Sequence, residues 1–228
     1  MTPLDSRKYF ADATVAAFVD EVQRGNASKV SAALKAGMDA NAKGADGFRP
    51  IHFVFPAKTA EVTEILLAAG ADANARAPNG NTPLHYAVQQ ASADFTTALL
   101  KHGADPQIVG EVDKPVLYVA LSSPVAEAIL PLLVKAGAKV NGSWGGYPPL
   151  QAAMVQQEWK SAASLIALGA NPGLKTEQGE TAAQTFCRLL QRMKKPAAEQ
   201  RQPLLSVGQA LHAQGLPEAC ALRLASFR

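Results

Sequence analysis

A short sequence motif recurs along this chain with a period of about 33 residues. Each copy closes a run of apolar residues with a glycine, as in LLAAGADAN and LLKHGADP. These glycines are Gly37, Gly70, Gly103, Gly137 and Gly169, and the interval between them is almost constant. A fixed period of this length indicates a stack of similar supersecondary units, each too small to bury its apolar face alone.

A second phrase repeats out of phase with the first, in RPIHF, TPLHYA, KPVLYVA and PPLQAA. Its prolines are Pro50, Pro83, Pro115 and Pro149, and one further period reaches Ala182 in a degenerate copy. Proline suits the first turn of a helix, and glycine suits the left-handed residue that ends one. The prolines therefore mark where a helix begins in each period, and the glycines mark where a helix ends.

Departures from the regular glycine and proline series also lead to predictions. A glycine three residues before most of the prolines predicts a hairpin tip, but the fourth repeat has Val112 there. The same repeat has two extra residues around Ser122 to Glu127, and Pro56 is expected to shorten the first helix of the second repeat. Beyond Ala182 we expect a helix, a linker over residues 192–203 and a final helix pair.

Composition excludes several other classes of protein. Hydrophobic residues make up 48% and charged residues 18%, so the chain can bury a core. Lys and Arg number 22 against 19 Asp and Glu, and the resulting charge of +3 does not indicate nucleic acid as a partner. Two cysteines exclude a disulfide scaffold and a four-cysteine zinc site. No apolar stretch approaches the roughly 18 to 20 residues that span a bilayer.

The repeated unit resembles the ankyrin repeat, over about residues 12–186. TPLHYA at Thr82 to Ala87, with LLKHGAD at Leu99 to Asp105, is close to the family pattern. The resemblance implies an all-α ankyrin-repeat solenoid of five to six helix–turn–helix units, with short β-hairpin tips and helical caps.

The domain organisation follows from the same resemblance. We expect a single ankyrin-repeat domain over residues 1–228. Within it we expect an N-terminal capping repeat at 12–45, central repeats at 46–180 and a divergent C-terminal helical cap at 181–228.

Histidine and aspartate often take part in catalysis, but in this chain several of them recur with the repeat. The resemblance implies that His52 and His85 hydrogen-bond neighbouring hairpins, and His102 is expected to face solvent. The recurrence of Asp39, Asp72 and Asp105 indicates loop hydrogen bonds in every unit. No catalytic, phosphate-binding or metal-ligand motif is present, so the sequence predicts no enzyme, no cofactor and no metal.

Two interpretations of the cysteines stay open. Cys187 and Cys220 lie one full period apart, near the C-terminus. Both are small apolar residues buried in the cap, or they face each other from stacked helices and pair in an oxidising compartment.

The feature that remains as a candidate for function is the surface of the repeats. In the ankyrin fold, hairpin tips and inner helices form a concave groove that contacts partner proteins through non-repeating residues. The predicted partner-binding residues are Trp144, Tyr147, Phe48, Lys43, Arg49, Arg76, Asn81, Gln89, Gln90, Glu111 and Asp113. The three aromatic residues either anchor a partner or pack one hairpin against the next. The cations among these residues are expected to steer an acidic partner. Trp159 is expected in the core.

The sequence therefore predicts a non-catalytic protein-binding module. It resembles bacterial stand-alone ankyrin proteins, which include immunity proteins that neutralise antibacterial effectors such as lipases delivered by type VI secretion. A periplasmic location is expected if a leader preceded residue 1, and a cytoplasmic one otherwise. The alternative is a cytosolic scaffold or regulator that tethers an enzyme or transcription factor. An enzyme remains an option only if the last 45 or so residues contain an unrecognised site.

Overall fold

A computed structural model describes residues 4–54, 59–212 and 214–227 of the chain. The helices are α1 (Ala13–Arg24), α2 (Ala27–Lys35), α3 (Thr59–Ala68), α4 (Pro83–Gln89), α5 (Ala93–Lys101), α6 (Val116–Ala120), α7 (Ala126–Lys135), α8 (Pro149–Val155), α9 (Trp159–Ala167), α10 (Ala182–Arg192), α11 (Ala198–His212) and α12 (Glu218–Ala225). Within the described residues, β structure is limited to isolated bridges at two hairpin tips. Pro56 lies outside the described residues.

The chain forms two compact units, Met1–Val116 and Leu117–Arg228. In the first unit, α2 packs against α1 and α3, and α5 packs against α3 and α4. The short 3-10 helix Pro50–Phe53 contacts both α1 and α4. The unit thus has one row of first helices and one row of second helices, as the helix-pair prediction requires. The domain boundaries inferred from the repeats stay predictions.

The second unit has two rows of its own. α9 packs against α7 and α11, α8 packs against α10, and α12 closes the end against α10 and α11. The predicted linker over residues 192–203 is wrong in its second half, because α11 begins at Ala198 and includes Pro203. Leu204, Val207 and Leu211 of that helix are fully buried. Their burial outweighs the helix hydrogen bond that proline cannot make.

The register of the repeats is more regular than the prolines suggest. The first helices begin at Pro50, Pro83, Val116, Pro149 and Ala182, so the interval from each start to the next is the same. Pro115 was expected to begin the helix of the fourth repeat, but Val116 does so. The two extra residues predicted around Ser122 to Glu127 are not an insertion. Helices α6 and α7 begin ten residues apart, as α4 and α5 do, and the loop between α6 and α7 is longer only because α6 is two residues shorter than α4.

The two histidines of the TPLH-like phrase bridge neighbouring hairpins, as the resemblance implied. The Nε2–H of His52 donates to the carbonyl of Ala75 at 3.0 Å, and that of His85 donates to the carbonyl of Lys114 at 3.2 Å. Each Nδ1 accepts a backbone N–H, from Arg49 and Thr82 respectively. This arrangement uses the neutral imidazole, and burial lowers the pKa of both rings.

A second ladder joins the loops that follow the second helices. Asp39, Asp72 and Asp105 each accept the backbone N–H two residues ahead, at 2.8, 2.9 and 2.8 Å, which confirms their predicted loop role. Asn41 and Asn74 then link successive loops, because the Oδ1 of each accepts the N–H of the next repeat's aspartate at 2.8 Å. Trp159 is in the core as predicted, with its ring 5.7 Å from that of Phe186.

Candidate functional site

The hairpin tip Glu111–Asp113, called here the valine tip, has an unusual backbone. Both Val112 and Asp113 have positive φ, at 51° and 55°. A turn with two left-handed central residues favours pairs such as Asn-Gly or Gly-Gly. Because α6 starts one residue later than predicted, Asp113 and not Val112 is equivalent to Gly80. Val112 is nevertheless a β-branched residue in a left-handed conformation, and it is 76% exposed.

Side chains of the preceding hairpin hold the valine tip in place. The Oδ1 of Asn81 accepts the N–H of Glu111 at 2.9 Å, and Nη2 of Arg76 donates to the carbonyl of Val109 at 2.7 Å. A Cβ on Gly110 would overlap Asn81 and the His85 ring, so only glycine allows this close approach. The structure places the predicted contact residue Asn81 in the interior, 3% exposed, where it supports the tip.

The hairpin Trp144–Tyr147, called here the tryptophan tip, lies in the second unit. Trp144 and Tyr147 exchange backbone hydrogen bonds of 3.2 Å across Gly145 and Gly146. The Trp144 ring is 5.6 Å from that of Tyr118, whose hydroxyl donates to the carbonyl of Tyr147 at 2.6 Å. Burial raises the pKa of the Tyr118 hydroxyl. Both tip rings are half-buried, so each combines packing within the hairpin with an open face.

Lys43, Arg49 and Arg76 were predicted to attract an acidic partner. Two of these three cations form contacts within the protein. Nη1 of Arg49 lies 3.2 Å from Oδ2 of Asp72 and donates to Asn41 at 3.3 Å. Arg76 bonds the carbonyl of Val109, as described above. Lys43 is exposed and lines a pocket beside the N-terminal turn.

Phe48 packs within the protein. Its ring meets those of Tyr9, Phe53 and His52 edge-on, with centroid separations of 5.1, 5.6 and 6.0 Å. The side chain is half-buried in this aromatic cluster. These contacts favour the packing interpretation of Phe48 over the anchor interpretation.

Comparison with known families bears on the repeated part of this site. Residues 18–110 match the family model for ankyrin repeats, in three copies. Residues 18–110 contain ankyrin repeats. The predicted all-α ankyrin class is thereby confirmed, and with it the assignment of a protein-interaction module. A search of curated proteins found no match to the chain.

The other predicted contact residues occupy varied positions in the ankyrin units. Gln89, Glu111 and Asp113 are exposed. Gln90 is half-buried, and its Nε2 donates to the carbonyl of Val54 at 3.4 Å. Among large apolar residues, Val155 of α8 is 38% exposed.

His102 differs from its expected position at the end of a second ankyrin helix. It was expected to face solvent, but it is half-buried and its Nε2 lies 2.7 Å from Oε2 of Glu64. The hydrogen bond from His102 lowers the pKa of Glu64. The carboxylate of Glu64, on α3, lies 38 residues away in sequence, so the spacing of the ankyrin ladder alone could not reveal the pair.

The C-terminal helices contain a disulfide. Cys187 of α10 and Cys220 of α12 are bonded, with Cα atoms 5.4 Å apart. Of the two interpretations of the cysteines, pairing is the one that the structure has.

Neither a membrane-spanning helix nor a cluster of metal ligands is present among the residues that the structure describes. In that part of the chain, no helix has the length and apolar character needed to cross a membrane. The same residues contain no group of three or more His, Cys, Asp or Glu side chains arranged to hold a metal ion.

Proposed function

We propose that this ankyrin-repeat chain binds a partner protein without catalysis, and that the valine tip is a principal contact. The observation that carries the proposal is Val112, which is apolar, 76% exposed and left-handed at φ 51°. A residue held in a sparsely populated conformation costs on the order of 1 to 3 kcal/mol, and such strain clusters at functional sites. Glycine would adopt this conformation without the steric cost that a β-branched side chain has there.

The surroundings of Val112 suit recognition. Its neighbours Glu111 and Asp113 are exposed, so an apolar centre is flanked by two carboxylates. A partner with an apolar depression and a basic rim is complementary to this pattern. Asn81, Arg76 and His85 fix the two strands of the hairpin by hydrogen bonds. This preorganisation reduces the entropy lost on association.

The tryptophan tip is proposed as a second contact. Trp144 and Tyr147 are half-buried rings on a hairpin with two central glycines. Truncation of a buried aromatic anchor typically costs about 2 kcal/mol or more, or roughly a thirtyfold loss of affinity. The contact of Trp144 with Tyr118 means that truncation also removes some packing within the protein.

The finer role that we propose is neutralisation of an antibacterial effector, as an immunity protein does for a lipase delivered by type VI secretion. The disulfide between Cys187 and Cys220 supports this role, because disulfides persist in oxidising compartments such as the periplasm and are rare in the cytosol. The same observation disfavours the alternative, a cytosolic scaffold or regulator.

The experiment begins with a pull-down from the native organism to identify the partner. Val112→Gly is then compared with wild type for affinity and thermal stability. We expect at least tenfold weaker binding together with a raised melting temperature, because glycine relieves the strain and removes the side chain. Gln178→Gly is the matched control, since Gln178 is exposed at the equivalent position of another tip. Unchanged affinity of Val112→Gly would remove the valine tip from the interface.

The tryptophan tip is tested in the same assay. We expect Trp144→Ala and Tyr147→Ala each to weaken partner binding at least tenfold. The melting temperature should change little in either variant. Wild-type affinity with a lowered melting temperature would show that both rings only pack against their own hairpin.

A further inference from the structure

We infer that a pocket at the N-terminal edge of the first unit binds an acidic segment of a protein. This N-terminal pocket is formed by residues 7–12 and 43–45, together with Val15, and its volume is about 340 Å³. The inference relies on the proposed function only in taking a protein as the ligand. The pocket is a different surface from either hairpin tip described above.

The pocket is held open by contacts from distant parts of the chain. The N–H of Ala45 donates to the carbonyl of Tyr9 at 2.5 Å. A Cβ on Gly44 would overlap that carbonyl and the Phe10 ring, so only glycine lets the hairpin come this close. The rings of Tyr9 and Phe10 pack edge-on against Phe53, with centroids 5.1 and 5.5 Å apart. The pocket is therefore preformed by packing and one backbone hydrogen bond.

The charge of the pocket is positive. Arg7, Lys8 and Lys43 line it, and none of them forms an ion pair with a side chain that the structure describes. Its acidic lining residue, Asp12, caps α1 by accepting the N–H groups of Thr14 and Val15 at 2.7 and 3.1 Å. These hydrogen bonds lower the pKa of Asp12, and both are accepted by its Oδ1.

Shape and charge together select the ligand class. The apolar groups of Tyr9, Phe10 and Val15 lie among three cations, so the pocket suits a carboxylate beside an apolar side chain. A volume near 340 Å³ accommodates a few side chains. Nucleic acid is disfavoured, because its affinity comes from many phosphate contacts along an extended basic surface. A concave pocket also lacks the protruding apolar residues that insert into a lipid surface.

The probe is a synthetic hexapeptide of alternating glutamate and leucine with blocked ends, titrated into the full chain at low salt. We expect saturable shifts of the backbone amide resonances of Tyr9, Gly44 and Ala45. The triple variant Arg7→Gln, Lys8→Gln, Lys43→Gln should bind at least tenfold more weakly. Lys35→Gln, which removes an exposed cation of α2 outside the pocket, is the matched control and should bind as wild type. Gly44→Ala should also weaken binding, because it displaces the N-terminal turn without changing charge.

Several outcomes would overturn the inference. The inference is wrong if the backbone amide resonances of the pocket do not shift, or if a peptide with lysine in place of glutamate binds equally well. Binding to vesicles that contain anionic lipid, without binding to the peptide, would assign the pocket to a membrane surface. The hexapeptide is a probe for the pocket and is not the partner protein. The Val112→Gly variant should therefore bind the hexapeptide as wild type does. Failure here therefore leaves the valine tip in place, and failure of the valine tip leaves this test valid.

Discussion

At the scale of single residues, one repeat position joins neighbouring hairpins. The third residue of the first helix is His52, His85, Tyr118 or Gln151 in successive repeats, and each donates to a carbonyl of the hairpin that follows. The hydrogen bond of Gln151 to Leu174 is 2.7 Å long. The position requires a buried side-chain donor of suitable length, and four side chains of three chemical types meet that requirement.

Histidine at this position makes stability depend on pH. Burial lowers the pKa of His52 and His85 below the ordinary value of 6.5. As the pH falls through 6.5, the rings of the unfolded chain take up protons while the folded rings stay neutral. The free energy of unfolding is therefore highest above about pH 6.5 and decreases until the folded-state pKa is reached.

The variant His52→Gln, His85→Gln should lose most of this pH dependence. Glutamine does not titrate, and it can donate to the same carbonyls, as Gln151 does. Urea unfolding between pH 5 and 7.5 measures the slope. His212→Gln serves as the control, because it exchanges the same residue types at an exposed site outside the bridging position. An equally steep slope in the double variant would mean that other groups cause the acid sensitivity.

At the scale of elements, α12 depends on a covalent connection. The disulfide links it to α10 across 33 residues of sequence, and Leu224 of α12 is buried. Gly208 of α11 permits the contact, since a Cβ there would overlap Leu224 and approach the Phe186 ring. A helix of eight residues is marginal by itself, so its stability comes from this packing and from the crosslink.

Replacement of both cysteines by alanine should lower the free energy of unfolding by about 2 to 4 kcal/mol, as loss of a crosslink allows a larger unfolded ensemble. Hydrogen exchange should increase most in α12. Wild-type protein treated with a reductant is the internal comparison and should behave as the double variant does. Identical stability of the oxidised and reduced wild type would contradict a stabilising role for the bond.

At the scale of the whole molecule, the proposed function predicts occupancy of a partner surface without turnover. If the partner is an enzyme, inhibition should be complete at one equivalent of this chain and reverse slowly, because affinity in large interfaces resides mostly in the dissociation rate. Titration of partner activity against added chain measures the equivalence point. Progressive loss of activity at amounts far below one equivalent would instead indicate an enzyme.

The helix pairs and the bridging role of His52 and His85 followed from the resemblance to ankyrin repeats. The repeat period, most helix boundaries and the loop role of the aspartates followed from the sequence pattern alone. These features were predictable because glycine, proline and apolar spacing report local backbone geometry and burial. The helix start at Val116 was missed because Pro115 is also compatible with a first turn. The early start of α11 was missed because proline locally opposes a helix, whereas burial of Leu204 and Leu211 favours one.

Whether a predicted contact residue is accessible depends on the tertiary structure. Asn81 and Arg49 looked available in the sequence, yet each is bonded to a residue 23 or more positions away. Arg7 and Lys8 were not among the predicted contact residues, yet the fold brings them beside Lys43. Accessibility depends on which distant segments approach one another, and a repeating local pattern contains no information about the particular side chains that meet there.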